Sequence, residues 1–198
     1  MTFLFDIGRV LLDFDFETSL ARLLPAGTTD PAARLACLLE RKDEFETGAI
    51  DPAAYVDWAL EVLGSEATPE EFCQAWQQIF TPNEPMWACV RKLVAEGHRL
   101  ILFSNTNAIH CPWIFETYPE FSLFHAGVLS FETRSIKPDP EIYQHAIATH
   151  QLDPASTLYI DDLPQNIATG QAIGFRSWQY DMADHAGFEA WLAAQLTA

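Results

Sequence analysis

Apolar positions along this chain cluster into short runs separated by longer segments of helical spacing. Runs of strand length occur at Phe3–Phe5, Arg99–Phe103, Ala126–Leu129, Thr157–Ile160 and Phe175–Gln179, with helical patterns between most of them. Strands that alternate with helices predict an α/β protein built on a parallel sheet with helices on both faces. The segment Met86–Glu96, followed by Gly97, has the composition and the C-terminal glycine of a helix that feeds directly into the strand at Arg99. Pro140–His150 likewise reads as a helix preceding the strand at Thr157.

Residues 16–80 have a different texture, with few strand-like runs and several helical patterns. They predict a helical insertion over residues 16–80, with residues 1–15 and 81–198 forming the α/β core. One helix start inside it is well marked. Thr68 supplies an N-cap, Pro69 occupies the first helical position and Glu71 the third. Phe72, Trp76 and Ile79 follow on that pattern and are read as lining a helical core rather than a ligand.

The 198 residues suffice to bury a substantial core, and 49% hydrophobic with 20% charged residues is the balance of an ordinary globular chain. Charge narrows the functions. Acidic residues outnumber basic ones 28 to 11, for a formal net charge of −17, and that field repels nucleic acid and anionic membrane surfaces. A small phosphorylated metabolite fits only where local donors and a divalent cation reverse the field. Cys37, Cys73, Cys89 and Cys111 are dispersed with no CxxC pair, which suggests neither a zinc site nor a redox motif. The N-terminal MTFLFDIGRVLLDFD is interrupted by Asp6, Arg9 and Asp13, unlike a signal-peptide core, and the uncharged stretch Leu100–Phe115 is broken by polar residues. The expected compartment is the cytoplasm, where thiols stay reduced.

In an open parallel sheet, ligands collect at the carboxyl ends of the strands. Here the first strand ends at Asp6, the second at Ser104-Asn105, the third leads into Lys137-Pro138, and the fourth ends at Asp161-Asp162. Each residue alone has an ordinary explanation, such as a loop start, a solvated lysine or a cap for the helix after Leu163. Together they suit phosphoryl transfer. A carboxylate can attack phosphorus to form an aspartyl phosphate, splitting one hard hydrolysis into two easier steps. Mg²⁺ held by oxygens of Asp6 and the acidic pair offsets the repulsion between carboxylate and phosphate. Ser104, Asn105 and Lys137 can hold the equatorial oxygens where charge accumulates.

This arrangement resembles the haloacid dehalogenase-like hydrolase superfamily over essentially the whole chain. Its four motifs match FLFDIGRV, LFSNTN, SIKPDPEIY and YIDDLPQNI in order. The resemblance implies a Rossmann-like sheet whose helical insertion is an α-helical cap covering the substrate. It implies that Asp6 is the nucleophile and a metal ligand, that the Gly8 carbonyl also reaches the metal, and that Asp162 is the direct acidic ligand while Asp161 acts through a water. Ser104 and Asn105 would bind the phosphoryl group, and Lys137 would neutralise it and Asp6. More narrowly, DIGRVLLDFD, SNTNAIH and KPDPEIYQH are similar to a bacterial branch acting on sugar phosphates, best known for α-D-glucose 1-phosphate.

One departure from the family pattern matters. Many phosphatases of the superfamily carry a second Asp two residues after the nucleophile as general acid and base, and here that position is Gly8. Asp13, Asp15 and His110 are candidates for the missing role, each with a structural alternative as a turn brace or loop contact. The gap disfavours a mutase and favours a sugar 1-phosphate, whose anomeric oxygen is the better leaving group. Two other readings stand beside the phosphatase. A metal-independent haloacid dehalogenase would carry an aromatic where Gly8 lies, and the acidic pair speaks for a cation. A non-catalytic homologue would bind a sugar phosphate or a protein without turnover.

Overall fold

A computed structural model describes residues 1–197. The chain opens with β1 (Thr2–Phe5) and β2 (Leu12–Phe14), followed by the helices α1 (Phe16–Ala21), α2 (Pro31–Ala36), α3 (Lys42–Glu46), α4 (Pro52–Leu63) and α5 (Pro69–Gln77). It returns through β3 (Phe80–Pro82) to α6 (Glu84–Ala95), β4 (Arg99–Ser104), α7 (His110–Thr117), β5 (Ala126–Leu129) and α8 (Ser130–Thr133). The remaining elements are α9 (Pro140–His150), β6 (Thr157–Asp161), α10 (Pro164–Ile173), β7 (Arg176–Gln179) and α11 (His185–Leu196).

Five strands form a parallel sheet in the order β5-β4-β1-β6-β7. The two-residue period of a strand sorts its apolar residues onto two faces. Phe3, Phe5, Leu100, Leu102, Leu158 and Ile160 pack with Trp87 and Val90 of α6 and Phe188 of α11. Leu4, Ile101, Phe103, Val128 and Tyr159 pack on the other side with Ile142 and Tyr143 of α9 and Ile167 of α10. The sheet is thus covered on both faces, the Rossmann-like α/β arrangement expected from the sequence. Boundaries shift slightly. Phe175 packs in the core just ahead of β7, and α6 begins at Glu84 because Pro85 suits the first helical turn.

β1 leads to β4 on one side, whereas β6 leads to β7 on the other, so the direction of winding reverses between β1 and β6. That reversal opens a crevice at the strand ends. Register fixes what stands there: Phe5 pairs with Leu102 of β4 and with Ile160 of β6, so Asp6 stands level with Phe103 and Asp161.

The helices α1 to α5 and the 3-10 turn joining α2 to α3 bury their own cluster, including Leu20, Leu38, Tyr55, Val56, Phe72 and Trp76. Phe45 and Tyr55 stack within it at 4.0 Å. Three of the helix starts repeat one device, a capping side chain followed by proline: Asp30-Pro31, Asp51-Pro52 and Thr68-Pro69. Thr68 and Glu71 form the reciprocal capping box. α5 stops at Gln77, and Ile79 lies on the way into β3 rather than in the helix. A feature absent from the sequence reading closes this excursion. β2 and β3 pair antiparallel, with Leu12 opposite Pro82 and Phe14 opposite Phe80, so the chain leaves and rejoins the sheet layer at one place.

The four cysteines are free thiols, and burial raises Cys89 and Cys111 to about 12, which leaves them unreactive. Among the described residues, no helix is long and apolar enough to cross a membrane.

Candidate active site

Asp6 is held at the end of β1 by its own backbone. Its N–H donates to Ile160 O at 3.0 Å, and its Oδ1 accepts the Ile7 N–H at 2.8 Å. Beyond it the chain turns back on itself, with Leu11 and Leu12 N–H both donating to Ile7 O. Gly8 lies inside this turn against Phe14, and a Cβ at position 8 would stand 3.2 Å from Phe14 Cε1. The Phe14 ring therefore takes up room a longer side chain at position 8 needs. Arg9 in turn stacks 4.3 Å over that ring.

Lys137 reaches the same point from the loop before α9. Its Nζ donates to Phe103 O at 2.7 Å and to Asp161 Oδ2 at 2.6 Å, and lies 3.0 Å from Asp6 Oδ1. The ammonium is fully buried and its three N–H bonds are matched by three acceptors. Burial pulls its pKa down, but the Asp161 and Asp6 carboxylates outweigh burial and hold it above the ordinary value. It is a fixed positive charge between two carboxylates.

Asp161 is saturated. Oδ2 accepts from Lys137 and from the Tyr159 hydroxyl at 2.6 Å, and Oδ1 accepts from Leu163 N–H and Asn166 Nδ2, both at 2.9 Å. Asp162, one residue on, lines the cavity, and among the described residues its carboxylate accepts no hydrogen bond from another residue. Burial, then Asp6 and Asp161, raise its pKa to about 7. Burial also raises Asp6, with Asp161 adding to it and Lys137 opposing.

Ligand oxygens of Asp6, Asp161 and Asp162 all lie within 4.8 Å of one another. Three carboxylates against one buried ammonium leave two uncompensated negative charges at close quarters. An oxygen-only donor set with that deficit fits a hard divalent cation such as Mg²⁺.

Ser104 is buried at the end of β4 and lines the same cavity as Asp6, its Oγ donating to Asn105 O at 3.3 Å. Asn105 has a role the sequence did not reveal. Its Nδ2 donates to Lys137 O and its Oδ1 accepts from Lys137 N–H, each at 2.8 Å. This amide clamps the Lys137 peptide, so its side chain is already engaged in holding the loop that carries the lysine.

None of the three acid–base candidates is free for the task. His110 is buried, with Nε2 2.9 Å from Trp76 O and Nδ1 3.0 Å from Asn107 Nδ2. Burial pushes its pKa down to about 3, so it stays neutral. Asp13 pairs with Arg9 and accepts the Phe14 N–H at 2.8 Å. Asp15 caps α1 through the Thr18 N–H at 3.0 Å. Both aspartates brace the turn toward the helices, the alternative weighed for them from sequence.

The site opens into a cavity of about 570 Å³ between the strand ends and the helices. Asp6, Ser104, Lys137 and Asp162 form its floor, while Leu35, Leu38, Phe45, Trp76, Ile79 and Phe80 make much of the remaining wall apolar. Trp76 and Ile79 thus serve packing and also face the ligand space. Tyr159, missed in the sequence, had a signal there: it precedes Asp161 by two residues, so a strand must present both on one face.

A Rossmann-like sheet thus carries at its switch point a lysine-bridged carboxylate cluster whose oxygen donors suit a divalent cation. Residues 1–174 match the haloacid dehalogenase-like hydrolase family, and the chain belongs to it. The chain is 28% identical to a D-ribitol-5-phosphate phosphatase of Bacteroides thetaiotaomicron, over 88% of this chain and 89% of that protein. It is 27% identical to a sesquiterpene phosphatase of Aspergillus oryzae, over 86% of this chain and 85% of that one. A haloacid dehalogenase family enzyme from Bacteroides thetaiotaomicron, solved as a mutant with magnesium and inorganic phosphate, superposes with a TM-score of 0.79 at 25% identity. That comparison covers 92% of this chain and 95% of the other.

Proposed function

We propose that this chain is a Mg²⁺-dependent phosphatase that hydrolyses a small phosphorylated metabolite through an aspartyl phosphate on Asp6. The observation that carries the reading is the juxtaposition of Asp6, Lys137, Asp161 and Asp162, delivered by separate strand ends to one crevice. Residues 16–80 act as a cap over that crevice.

Asp6, the Gly8 carbonyl and Asp162 would hold Mg²⁺, with the hydrogen-bond-saturated Asp161 acting through a water. When bound, the cation withdraws charge from the phosphoryl oxygens and screens them from the carboxylates. Asp6 attacks phosphorus in line with the leaving oxygen. Ser104 steadies the phosphoryl group, and Asn105 contributes by fixing the Lys137 loop. Lys137 holds Asp6 in place and offsets charge as it builds on the transferring group.

For the leaving group, the first reading is a sugar phosphate such as glucose 1-phosphate, supported by the family branch the motifs resemble and by the sugar-alcohol phosphate of one relative. A second reading rests on the cavity wall. Its many apolar side chains offer few partners to a polyol, and an ester with an apolar leaving group buries surface there at about 25 cal/mol per Å². The name of the sesquiterpene phosphatase relative supports that alternative. The test is a panel of hexose, polyol and isoprenoid monophosphates assayed with Mg²⁺ and with EDTA, ranked by kcat/KM. Turnover that is indifferent to EDTA removes the metal-dependent reading. Tight ester binding without turnover replaces the enzyme with a binding protein.

A further inference from the structure

Gly8 leaves the proton transfers without an agent on the sheet side, and His110, Asp13 and Asp15 are committed elsewhere. The cavity holds other ionisable groups. Glu17 is exposed at its rim, Lys42 is a cation, and the Tyr55 hydroxyl donates to Leu38 O at 3.1 Å. Glu46 differs from all of these. It stands at the end of α3 and lines the same cavity as Asp6 and Asp162, with its side chain only 13% exposed. Its Oε2 is closed to solvent and has no hydrogen-bond partner. Lys42 Nζ lies 3.1 Å away but outside hydrogen-bonding geometry. The Lys42 ammonium offsets charge at this oxygen without donating to it, and a buried carboxyl oxygen left without a donor still carries a cost that a proton or a ligand removes.

We propose that Glu46, supplied by the helical insertion, donates the proton to the leaving oxygen and then takes one from the attacking water; this rests on the phosphatase reading above. In the first step an Asp6 oxygen bonds to phosphorus and the bond to the ester oxygen breaks. That oxygen keeps the electron pair and receives the Glu46 proton, so the alcohol leaves neutral. In the second step the Glu46 carboxylate accepts a proton from water while the water oxygen bonds to phosphorus. The bond to Asp6 breaks, inorganic phosphate is released, and Glu46 is protonated again.

Two further observations fit this cycle. Burial raises the Glu46 pKa, with Asp43 and Asp6 adding and Lys42 opposing, the direction needed by a donor working near neutral pH. The turn after Glu46 is also pinned to the sheet layer. Gly48 has a φ of +64°, and a Cβ there would meet Phe131 O at 2.6 Å, while Arg134 donates to the Gly48 carbonyl. This close approach ties the end of α3 to α8 and to the loop that leads to Lys137.

The test compares butyl phosphate with p-nitrophenyl phosphate, both with Mg²⁺, in wild type and Glu46→Gln. Loss of an acid should lower turnover of the butyl ester by roughly 10²–10⁴-fold. With the nitrophenyl ester, whose leaving group needs no proton, the variant should give a burst of one nitrophenolate per active site at near wild-type rate, then slow turnover. Formate should restore part of the butyl-ester activity to Glu46→Ala, which a merely structural role does not predict. The assignment is overturned if Glu46→Gln slows both esters equally with no burst, or leaves butyl-ester turnover within about threefold of wild type. A wild type that turns over neither ester with Mg²⁺ overturns the phosphatase reading, and the assignment with it.

Discussion

Replacing Asp162 by Asn should stabilise the metal-free protein at alkaline pH and destabilise it once Mg²⁺ is supplied. In the folded chain the Asp162 carboxyl is raised from 3.8 to about 7 by burial and by its two acidic neighbours. A group with a raised folded pKa contributes stability below its unfolded value, and that contribution is lost as pH rises through the folded value. The window therefore runs from about pH 4 to about pH 7. Three pKa units at about 1.4 kcal/mol each set an unscreened limit near 4 kcal/mol. Asp162 is partly open to solvent, and screening brings the expectation down to about 1–2 kcal/mol. His110 acts in the opposite sense: held neutral in the fold with a pKa of about 3, it removes stability as pH falls below 6.5. Subtracting the variant from the wild type at each pH cancels that contribution. The assay is urea denaturation of both proteins in EDTA from about pH 5 to pH 8, repeated with excess Mg²⁺. The variant should be the more stable protein near pH 8 in EDTA, the gap should close toward pH 5, and Mg²⁺ should reverse the order because it binds the wild type more tightly. A variant no more stable than wild type near pH 8 in EDTA would refute the claim that three crowded carboxylates await a cation.

Asp6→Asn should abolish turnover while leaving the fold intact, and Asp162→Asn activity should recover in part at high Mg²⁺; steady-state assays across a Mg²⁺ titration separate the two. Asn105→Ala removes both bonds of the Lys137 clamp, so kcat should fall and stability should drop by about 1–3 kcal/mol, read from activity and denaturation together. In Glu46→Gln, glucose 1-phosphate turnover should fall less than glucose 6-phosphate turnover, because the anomeric oxygen leaves more easily without a proton; a kcat/KM ratio unchanged from wild type would count against the acid. Thr68→Ala breaks the capping box and should cost about 1 kcal/mol in thermal denaturation without altering KM.

The sequence by itself determined the elements and the chemistry at their ends. Strand-length apolar runs, Pro-initiated helices and the capping box are local signals, set by backbone sterics and two- or 3.6-residue periodicity. The carboxyl-end rule therefore sufficed to nominate Asp6, Ser104, Lys137 and the acidic pair. What each does to its neighbours was decided only by the tertiary structure. Register put Asp6 level with Asp161, and burial made Lys137 a fixed clamp rather than a solvated lysine. Asn105 became a brace for Lys137, and His110, an acid–base candidate from the sequence, lost its proton affinity in a buried setting with both nitrogens engaged. The pairing of β2 with β3 and the approach of α3 to the strand ends join residues far apart along the chain. No local pattern marks Glu46 as belonging to the site, because solvent exclusion and electrostatic coupling are properties of the packed neighbourhood and not of the residue.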